Sequence, residues 1–310
     1  MLTGSSTAYI GQFQVRERLG ASRAEVYEVY KVWNPADNRL YALKVLAKAG
    51  ADPDQRASFL IEAQVIEKIS HPNIVTIHSI GEDQQGQPFR VMELLQGQTL
   101  KDAIRKASFG PIRDRVVVAL QLARALEHLH FLNIVHRRLH PEDVHVDLVG
   151  KVRMLNIGIG RTDADSRFRA PEAGSGEPTL SGNIYTFGLI LFELMGGAKD
   201  ASTSMPLPEV PLPVQNVIRR CTALDPAHRP ASFAWVATEL DRWLIDPKAV
   251  GIHVQSLIQP ICISRKSLPT VAAVAFLALS LCSYAAYAGG YHLGQHGRAV
   301  SASSTPWSDR

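Results

Sequence analysis

Short β-like runs of mostly apolar residues, separated by polar turn segments, occur in the first third of the chain and predict β-strands. The five runs are Phe13–Leu19, Val26–Val32, Leu40–Leu46, Ile74–Ile80 and Phe89–Leu94. Between the third and fourth runs, Asp52 fits a helix cap and Pro53 fits a first helical turn, and apolar residues follow at helical spacing up to Ile69. The pattern predicts a small α+β lobe with five strands and one helix.

Helical periodicity dominates the chain beyond Gly97. The runs at helical spacing are Arg113–Phe131, Val214–Ala223 and Ser232–Ile245. A further run, Ile184–Met195, is apolar on every side, which predicts a helix buried in the centre of its lobe. The prolines from Pro206 to Pro213 predict a surface connector, with a docking ligand for a partner as the alternative. A larger helical lobe therefore follows the small one.

Composition places most of the chain in the cytosol. The 310 residues include 33 Lys and Arg and 29 Asp and Glu, a surplus that is too small and too dispersed to indicate nucleic-acid binding. The three cysteines, Cys221, Cys262 and Cys282, match no metal or redox spacing and fit a reducing compartment. The residues from Met1 to Tyr9 are polar, so we expect no signal peptide.

An uncharged apolar stretch, Leu268–Ala288, lies near the end of the sequence. A helix that crosses a bilayer requires roughly 20 apolar residues, and this stretch is long enough. Arg265 and Lys266 precede it, which predicts that its N-terminal side is cytoplasmic. The sequence predicts a single-pass protein of the inner (cytoplasmic) membrane, with residues 245–267 as a juxtamembrane linker and 289–310 as a short extracytoplasmic tail. A buried helix of the soluble core is the alternative.

Short motifs lie in order along the two predicted lobes. They are Tyr41-Ala42-Leu43-Lys44, Met92-Glu93-Leu94-Leu95, His136-Arg137-Arg138-Leu139 and Ala170-Pro171-Glu172. In this order and spacing they are similar to motifs of the eukaryotic-type protein kinase family, particularly the bacterial membrane Ser/Thr kinases. The resemblance covers about residues 13–244, after an N-terminal extension at 1–12. It implies an α+β, bilobal protein-kinase-like fold, with a five-stranded N-lobe carrying one helix (about 13–95) and a larger helical C-lobe (about 96–244). One C-terminal transmembrane helix completes the predicted fold class.

The resemblance implies a nucleotide-binding cleft between the lobes. In such a cleft Lys44 would contact the phosphates, and Glu62 would hold Lys44 in an ion pair. The backbones of Glu93 and Leu95 would meet the edge of the adenine. The other candidate nucleotide-binding residues are Gly20, Ala42, Met92 and His145, the last of which falls where the family has an apolar residue on the cleft floor.

The resemblance also implies structural roles for residues outside the chemistry. An apolar stack that joins the two lobes would comprise Ile66, Ile77, Ile157 and His136. Glu172 and Arg229 fall where the family has a buried ion pair. Asn183 falls where an aspartate of the family braces the catalytic loop.

The residues that perform phosphoryl transfer in the family are replaced in this sequence. Arg138 stands at the position of the base aspartate, and a guanidinium accepts no proton at physiological pH. His140 replaces a lysine, Asp143 replaces the metal-binding asparagine, and Asn156 replaces the metal-binding aspartate. Because Mg²⁺ prefers carboxylate and phosphate oxygens, the Asn156 amide is a weak ligand, and Asp143 is the acid that could hold a metal. Of the glycine-rich loop, Gly20 alone remains.

These replacements predict a membrane-anchored pseudokinase, a signalling or scaffolding module without efficient phosphotransfer. We expect protein partners, such as an active kinase or a membrane complex, together with the lipid bilayer and without nucleic acid, and no required cofactor. Two alternatives stay open. The chain is a divergent active Ser/Thr protein kinase in which Asp143 holds a metal and Glu142 serves as base, or it is a sensor that binds ATP or ADP weakly and with little dependence on Mg²⁺.

Overall fold

The computed structural model describes residues 8–21, 27–46, 53–157, 166–174, 177–197 and 207–245. The first lobe consists of an antiparallel sheet packed against one helix. The strands are β1 (Tyr9–Ile10), β2 (Phe13–Ala21), β3 (Tyr27–Asn34), β4 (Arg39–Leu46), β5 (Ile77–Glu82) and β6 (Pro88–Glu93). They lie side by side in the order β1-β2-β3-β4-β6-β5.

The five predicted strands correspond to β2 through β6, although β5 begins at Ile77 rather than at Ile74. The additional strand β1 lies within the segment 1–12 that was expected to be an extension, because a strand of two residues is too short to show a period. Apolar residues on one face of the sheet form a buried cluster of Phe13, Val32, Leu43, Val45, Phe89 and Val91.

Helix α1 (Pro53–Glu67) packs against this sheet and buries one side of its surface. Its buried residues are Phe59, Glu62, Ala63 and Ile66, which recur at the three- and four-residue spacing of a helix face. A carboxylate among the buried positions requires a partner of opposite charge or several hydrogen bonds. Glu62 and its partner therefore form part of the candidate site.

In the ranges that the structure describes, the second lobe contains five α-helices. They are α2 (Leu100–Arg105), α3 (Ile112–Phe131), α4 (Leu180–Leu194), α5 (Leu212–Cys221) and α6 (Phe233–Leu244). Helix α4 is buried along most of its length, as its uniformly apolar sequence predicts. Helix α5 begins two residues before the predicted start, with Pro213 in its first turn, where the missing N–H of proline costs no helical hydrogen bond.

A small sheet of β7 (Gln98–Thr99), β8 (Val144–Val146) and β9 (Val152–Met154) lies at the start of the second lobe. Its strands of two or three residues are too short to be predicted from periodicity. Where the chain passes into this sheet, Gly97 has φ +122°, and a Cβ at this position would lie 2.2 Å from the Val146 carbonyl oxygen. Only glycine fits there without displacing the backbone.

In the described part of the chain, no helix is both long enough and apolar enough to cross a membrane. The predicted fold class is corrected accordingly: the bilobal kinase-like architecture holds, and the transmembrane helix is removed from it. The stretch Leu268–Ala288, on which that prediction depended, lies outside the described residues, as do the tail and all but the first residue of the predicted linker. The expected membrane location depended on the same helix and gains no support.

Candidate functional site

Two cationic side chains lie next to each other beneath α1. Lys44 on β4 and Arg90 on β6 are directly opposite in an antiparallel strand pair, so both project from the same face of the sheet. Both residues are buried, with 9% and 2% of their surface exposed. Buried cations need anions or hydrogen-bond acceptors, and the partners of these two define the site.

The partner of Arg90 is Glu62 of α1. Arg90 Nη1 lies 2.9 Å from Glu62 Oε1, and 3% and 8% of the two side chains are exposed. The guanidinium carbon also lies 5.6 Å from the centre of the Phe59 ring on the same helix. No ion pair joins Lys44 to Glu62 among the described residues, so the expected pairing is corrected to one between Arg90 and Glu62. The planar guanidinium can contact Glu62 and a second acceptor at once, which a lysine does less readily.

The sequence motifs do not identify Arg90 as a site residue, although the sequence contains a feature that points to it. It is a charged residue in an otherwise apolar stretch, Phe89-Arg90-Val91-Met92. Because successive side chains of a strand alternate between faces, Arg90 shares the face of Met92 and is opposite to the buried cluster of Phe89 and Val91. A charge on that face of a central strand points to a buried partner on α1.

Lys44 bonds to the second lobe rather than to α1. Its Nζ donates to Asn156 Oδ1 at 2.9 Å and lies 4.3 Å from the centre of the Tyr27 ring. Burial, followed by repulsion from Arg90, lowers the pKa of Lys44 to about 8. The ammonium group is therefore held by a neutral amide and an aromatic face.

Asn156 connects the cations to a carboxylate. Its Oδ1 accepts hydrogen bonds from Lys44 and, at 3.3 Å, from Arg90 Nη2, while its Nδ2 donates to Asp143 Oδ1 at 2.8 Å. The residue has φ 52°, a left-handed conformation that asparagine adopts more readily than most residues. An amide supplies both a donor and an acceptor, so Asn156 satisfies groups of opposite charge on its two sides.

Asp143 is the buried carboxylate of the site, with 1% of its surface exposed. Its Oδ2 is buried and has no hydrogen-bond partner in the part of the chain that the structure describes. Arg138 Nη2 lies 3.9 Å from Oδ1. Burial raises the pKa of Asp143 to about 6, against the opposing effect of the hydrogen bond from Asn156. The ionised form of Asp143 is therefore poorly stabilised.

A divalent metal fits this arrangement poorly. Mg²⁺ requires a near-octahedral set of oxygen ligands, usually with one or two carboxylates. The Asn156 oxygen already accepts from two cations, which would repel a metal at that point. The side chains present do not provide the magnesium site of the kinase family.

The position of the family's catalytic base is occupied by Arg138, whose side chain is 37% exposed. His140 Nδ1 accepts a hydrogen bond from the Glu142 backbone N–H at 3.1 Å and caps the 3₁₀ turn Pro141–Asp143. Glu142, the alternative base, forms an ion pair with Lys101 of α2. The Glu142 side chain, at the middle of this turn, is thus engaged in a structural contact.

His136 and Asn183 hold the loop that carries Arg138. Asn183 Oδ1 accepts from the His136 backbone N–H, and Asn183 Nδ2 donates to the His136 carbonyl, each at 2.9 Å. His136 Nε2 lies 3.2 Å from the Leu155 carbonyl oxygen, and burial lowers the pKa of His136 to about 4. The two hydrogen bonds of its amide allow Asn183 to brace this loop. The other residues of the expected apolar stack, Ile66, Ile77 and Ile157, are all buried.

Glu172 and Arg229 form a two-pronged ion pair in the second lobe. Arg229 Nη1 and Nη2 donate to Glu172 Oε1 and Oε2 at 2.6 and 2.8 Å. Arg229 also donates from Nε to the Ala223 carbonyl at 2.8 Å, and none of its side chain is exposed. The hydrogen bonds from Arg229 lower the pKa of Glu172. This pair joins the segment before α4 to the turn before α6.

The segment that connects the lobes contains the candidate adenine-binding residues. Ala42 is buried and lies opposite Met92 across β4 and β6. The carboxylate of Glu93 accepts from Arg153 at 2.9 Å, which ties this segment to β9. His145 hydrogen-bonds to the backbone of Gln96, burial lowers its pKa, and its buried Nε2 has no partner within the described ranges.

Of the other candidates, Leu95 lies between β6 and β7, partly buried. Gly20 lies in β2 opposite Val29. The rest of the loop that follows, residues 22–26, is outside the described part of the chain. The structure thus brings Lys44, Asn156 and Asp143 together and joins Glu62 to them through Arg90.

A family model described as a protein kinase domain matches residues 13–239. A kinase domain structure, that of PknI from Mycobacterium tuberculosis, aligns with a TM-score of 0.62 at 24% identity and covers 78% of this chain and 99% of that one. At that identity the likeness supports the fold.

Curated relatives include bacterial serine/threonine-protein kinases. PrkC of Bacillus subtilis is 29% identical over 253 residues, which is 71% of this chain and 38% of PrkC. The probable serine/threonine-protein kinase PknB of Lactococcus lactis is 30% identical over 224 residues, 62% of this chain and 36% of PknB. The chain spans well under half the length of these relatives.

Proposed function

The chain belongs to the protein kinase domain family, and from that premise we propose that it is a pseudokinase, a signalling or scaffolding module that keeps the kinase fold without efficient phosphotransfer. The observation that carries the proposal is the closed network around Asn156. In this network one amide satisfies Lys44 and Arg90 on one side and Asp143 on the other. Both polar atoms of the Asn156 side chain are used in these contacts.

Loss of metal binding removes the main source of electrostatic catalysis. Phosphoryl transfer depends on cations that bridge the phosphate oxygens and neutralise the charge that develops on them. The carboxylate of Asp143 is buried, and its raised pKa of about 6 means that it holds a proton more readily than an exposed aspartate. A single carboxyl group of this kind is a poor replacement for a two-residue metal site.

The second requirement of phosphoryl transfer, a catalytic base, is also unmet. The attacking hydroxyl needs an acceptor for its proton, and Arg138 supplies a permanent cation at that position. Glu142 is paired with Lys101. Both chemical requirements therefore fail together, while the ion pair of Glu172 with Arg229 maintains the scaffold of the second lobe. A stable fold without its chemistry supports a role in binding a protein partner.

Phosphotransfer is tested directly with the purified full chain, labelled ATP, Mg²⁺ or Mn²⁺ and general protein substrates. We expect no transfer above the level of a Lys44→Ala variant. Lys31→Ala on the neighbouring strand β3 is the control, because Lys31 is partly exposed and pairs only weakly, at 3.9 Å, with Glu17. Transfer that is present in the natural chain and in Lys31→Ala but lost in Lys44→Ala would refute the proposal and favour a divergent active Ser/Thr kinase.

A second candidate function, nucleotide sensing, is favoured by the charge balance of the site. Three cations, Lys44, Arg90 and Arg138, stand against two carboxylates, Glu62 and Asp143, and burial opposes ionisation of the second carboxylate. The excess of positive charge would attract the phosphates of ATP or ADP without a divalent ion. In a partly desolvated cleft such attraction is stronger than in water.

Calorimetry of the full chain with ATP tests this second candidate. Affinity in excess EDTA should equal affinity in Mg²⁺ within about threefold, because side chains take over the charge neutralisation. Arg138→Ala should weaken binding, whereas Arg137→Ala should not, since Arg137 is paired with Glu177 at 2.8 Å. Binding that occurs only with Mg²⁺ would contradict nucleotide sensing of this kind, and absence of binding would leave the protein-binding role alone.

A further inference from the structure

The contacts between α1 and the sheet are unevenly divided between the two buried cations. Arg90 touches α1 at two positions, Phe59 and Glu62, which are three residues apart and therefore on the same helix face. The contacts found for Lys44 are with Tyr27 and Asn156, neither of which belongs to α1. A second ion pair joins Arg56 of α1 to Glu82 of β5 at 2.7 Å, but its side chains are 38% and 52% exposed, and exposed pairs contribute little to stability. The buried charged link from sheet to helix is therefore the one made by Arg90.

Burial makes this link sensitive to the loss of either partner. The side chains of Arg90 and Glu62 are 3% and 8% exposed, so a group left alone would be a buried charge without compensation. Arg90 Nε is already buried with no partner among the described residues, which adds to the cost of the arrangement. Removing one partner of this buried pair should therefore strongly destabilise the contact between α1 and the sheet.

Arg90 also reaches the second lobe. Its Nη2 donates to Asn156 Oδ1 at 3.3 Å while Nη1 bonds to Glu62. One guanidinium thus connects α1, β6 and the segment after β9. Lys44 lies opposite on β4 and donates to the same oxygen of Asn156, but it does not extend the connection to the helix.

We infer that Arg90, and not Lys44, is the positioning residue that fixes α1 against the sheet. This inference rests on the proposed function, because it describes how a cleft without phosphotransfer keeps its N-lobe assembled. A ligand that draws Lys44 away from Asn156 would leave the link between Arg90 and Glu62 in place. The position of α1 is therefore set by the fold itself and does not report what occupies the cleft.

Hydrogen exchange of α1 amides in the full chain, followed by mass spectrometry, tests the inference. Arg90→Met and Lys44→Met are matched variants, since the two residues are opposite each other on adjacent strands and each loses a cation but keeps an unbranched side chain. Arg90→Met should raise exchange across Pro53–Glu67 by at least about tenfold, because it leaves Glu62 buried without its partner. Lys44→Met should change it by less than about twofold.

Two further measurements separate the ion pair from general stability. Exchange in α6 of the second lobe serves as an internal reference, and it should stay unchanged if the effect is local to α1. The double variant Arg90→Met with Glu62→Met should return α1 exchange towards the natural level, because removing both partners leaves no unpaired charge. Arg90→Lys, which keeps the charge, should fall between the natural chain and Arg90→Met.

The inference would be overturned if Lys44→Met raised hydrogen exchange in α1 as much as Arg90→Met does, or if neither variant changed it. If Arg90→Met unfolds the whole chain, failure of the double variant to recover would also overturn it. These outcomes are separate from the proposed function. Phosphate transfer would refute the pseudokinase proposal without altering the exchange pattern, and an α1 that depends on Lys44 would refute this inference without restoring transfer.

Discussion

Replacing Asp143 by asparagine should stabilise the fold at neutral pH. The residue is 1% exposed, and one of its carboxylate oxygens is buried without a hydrogen bond among the described residues. An asparagine of nearly the same shape can still accept the hydrogen bond from Asn156 Nδ2 through its own Oδ1. The substitution therefore removes a buried charge and retains the principal contact.

The size and pH range of this gain follow from the pKa of Asp143. Burial raises it from 3.8 to about 6, so between these values the folded state holds a proton that the unfolded state has lost. Stability from this group is full below pH 4 and falls as pH rises to about 6. A difference of about 2 pKa units, at 1.36 kcal/mol each, corresponds to about 3 kcal/mol above pH 7. The variant avoids this loss.

Urea unfolding of the natural chain and of Asp143→Asn, from pH 4 to pH 8, measures the difference directly. The difference is the useful quantity, because burial lowers the pKa of His136 to about 4 and gives the absolute stability an opposite trend in the same range. Asp241→Asn is the control. Asp241 is 43% exposed and pairs with Arg124 at 3.3 Å, so its removal should cost less than about 1 kcal/mol at every pH.

A difference that does not grow between pH 4 and pH 7 would refute the reasoning. So would a variant that is less stable than the natural chain at pH 7. Either result would mean that Lys44 and Arg138 stabilise the ionised Asp143 by more than burial destabilises it. The anionic carboxylate would then be well stabilised in the site, and the argument against a metal at this position would lose its main support.

Two other substitutions have clear expected outcomes. Glu172→Gln should cost about 2 kcal/mol in urea unfolding, because it leaves the fully buried Arg229 guanidinium without its anion. The difference in stability between the two proteins should shrink on acidification. Hydrogen bonds from Arg229 lower the pKa of Glu172, and protonation of Glu172 at low pH ends the ion pair in the natural chain as well. A difference that does not depend on pH would contradict this. Asn156→Asp should lower the thermal unfolding temperature at pH 7.5, because it replaces the donor to Asp143 by a like charge. Millimolar Mg²⁺ should then raise that temperature in Asn156→Asp but not in the natural chain, and an equal response of both would show that the natural site holds metal.

Periodicity was sufficient for the longer elements and insufficient for the shorter ones. A strand such as β4, with eight residues, is long enough to show as an apolar run, and α4 shows a continuous apolar surface. Strands β1 and β7 have two residues each; β1 pairs with the adjacent strand β2, and β7 pairs with β8, which is distant in sequence. Such strands form because the fold aligns them, and no local pattern distinguishes them from turns.

The positions of the site residues followed from motif spacing, whereas their partners did not. Spacing placed Lys44, Asp143 and Asn156 in one cleft, and the structure brings them into contact. The partner of Glu62 could not be chosen in this way, because Arg90 and Lys44 are neighbours on the same face and differ in how their side chains extend. Choosing between them requires the helix position, which depends on packing of Phe59 and Ile66 against the core.

The replacements at 143 and 156 are best understood as one exchange. In the kinase pattern an asparagine and an aspartate occupy these two positions, and in this chain the carboxylate is at Asp143 and the amide at Asn156. The two side chains are joined by a hydrogen bond in which Asn156 Nδ2 donates to Asp143 Oδ1 at 2.8 Å. The negative charge, however, has moved away from the oxygen that faces Lys44 and Arg90. Two cations therefore converge on a neutral acceptor at a point where a metal ion would favour an anionic one, and this arrangement is the physical basis of the pseudokinase proposal.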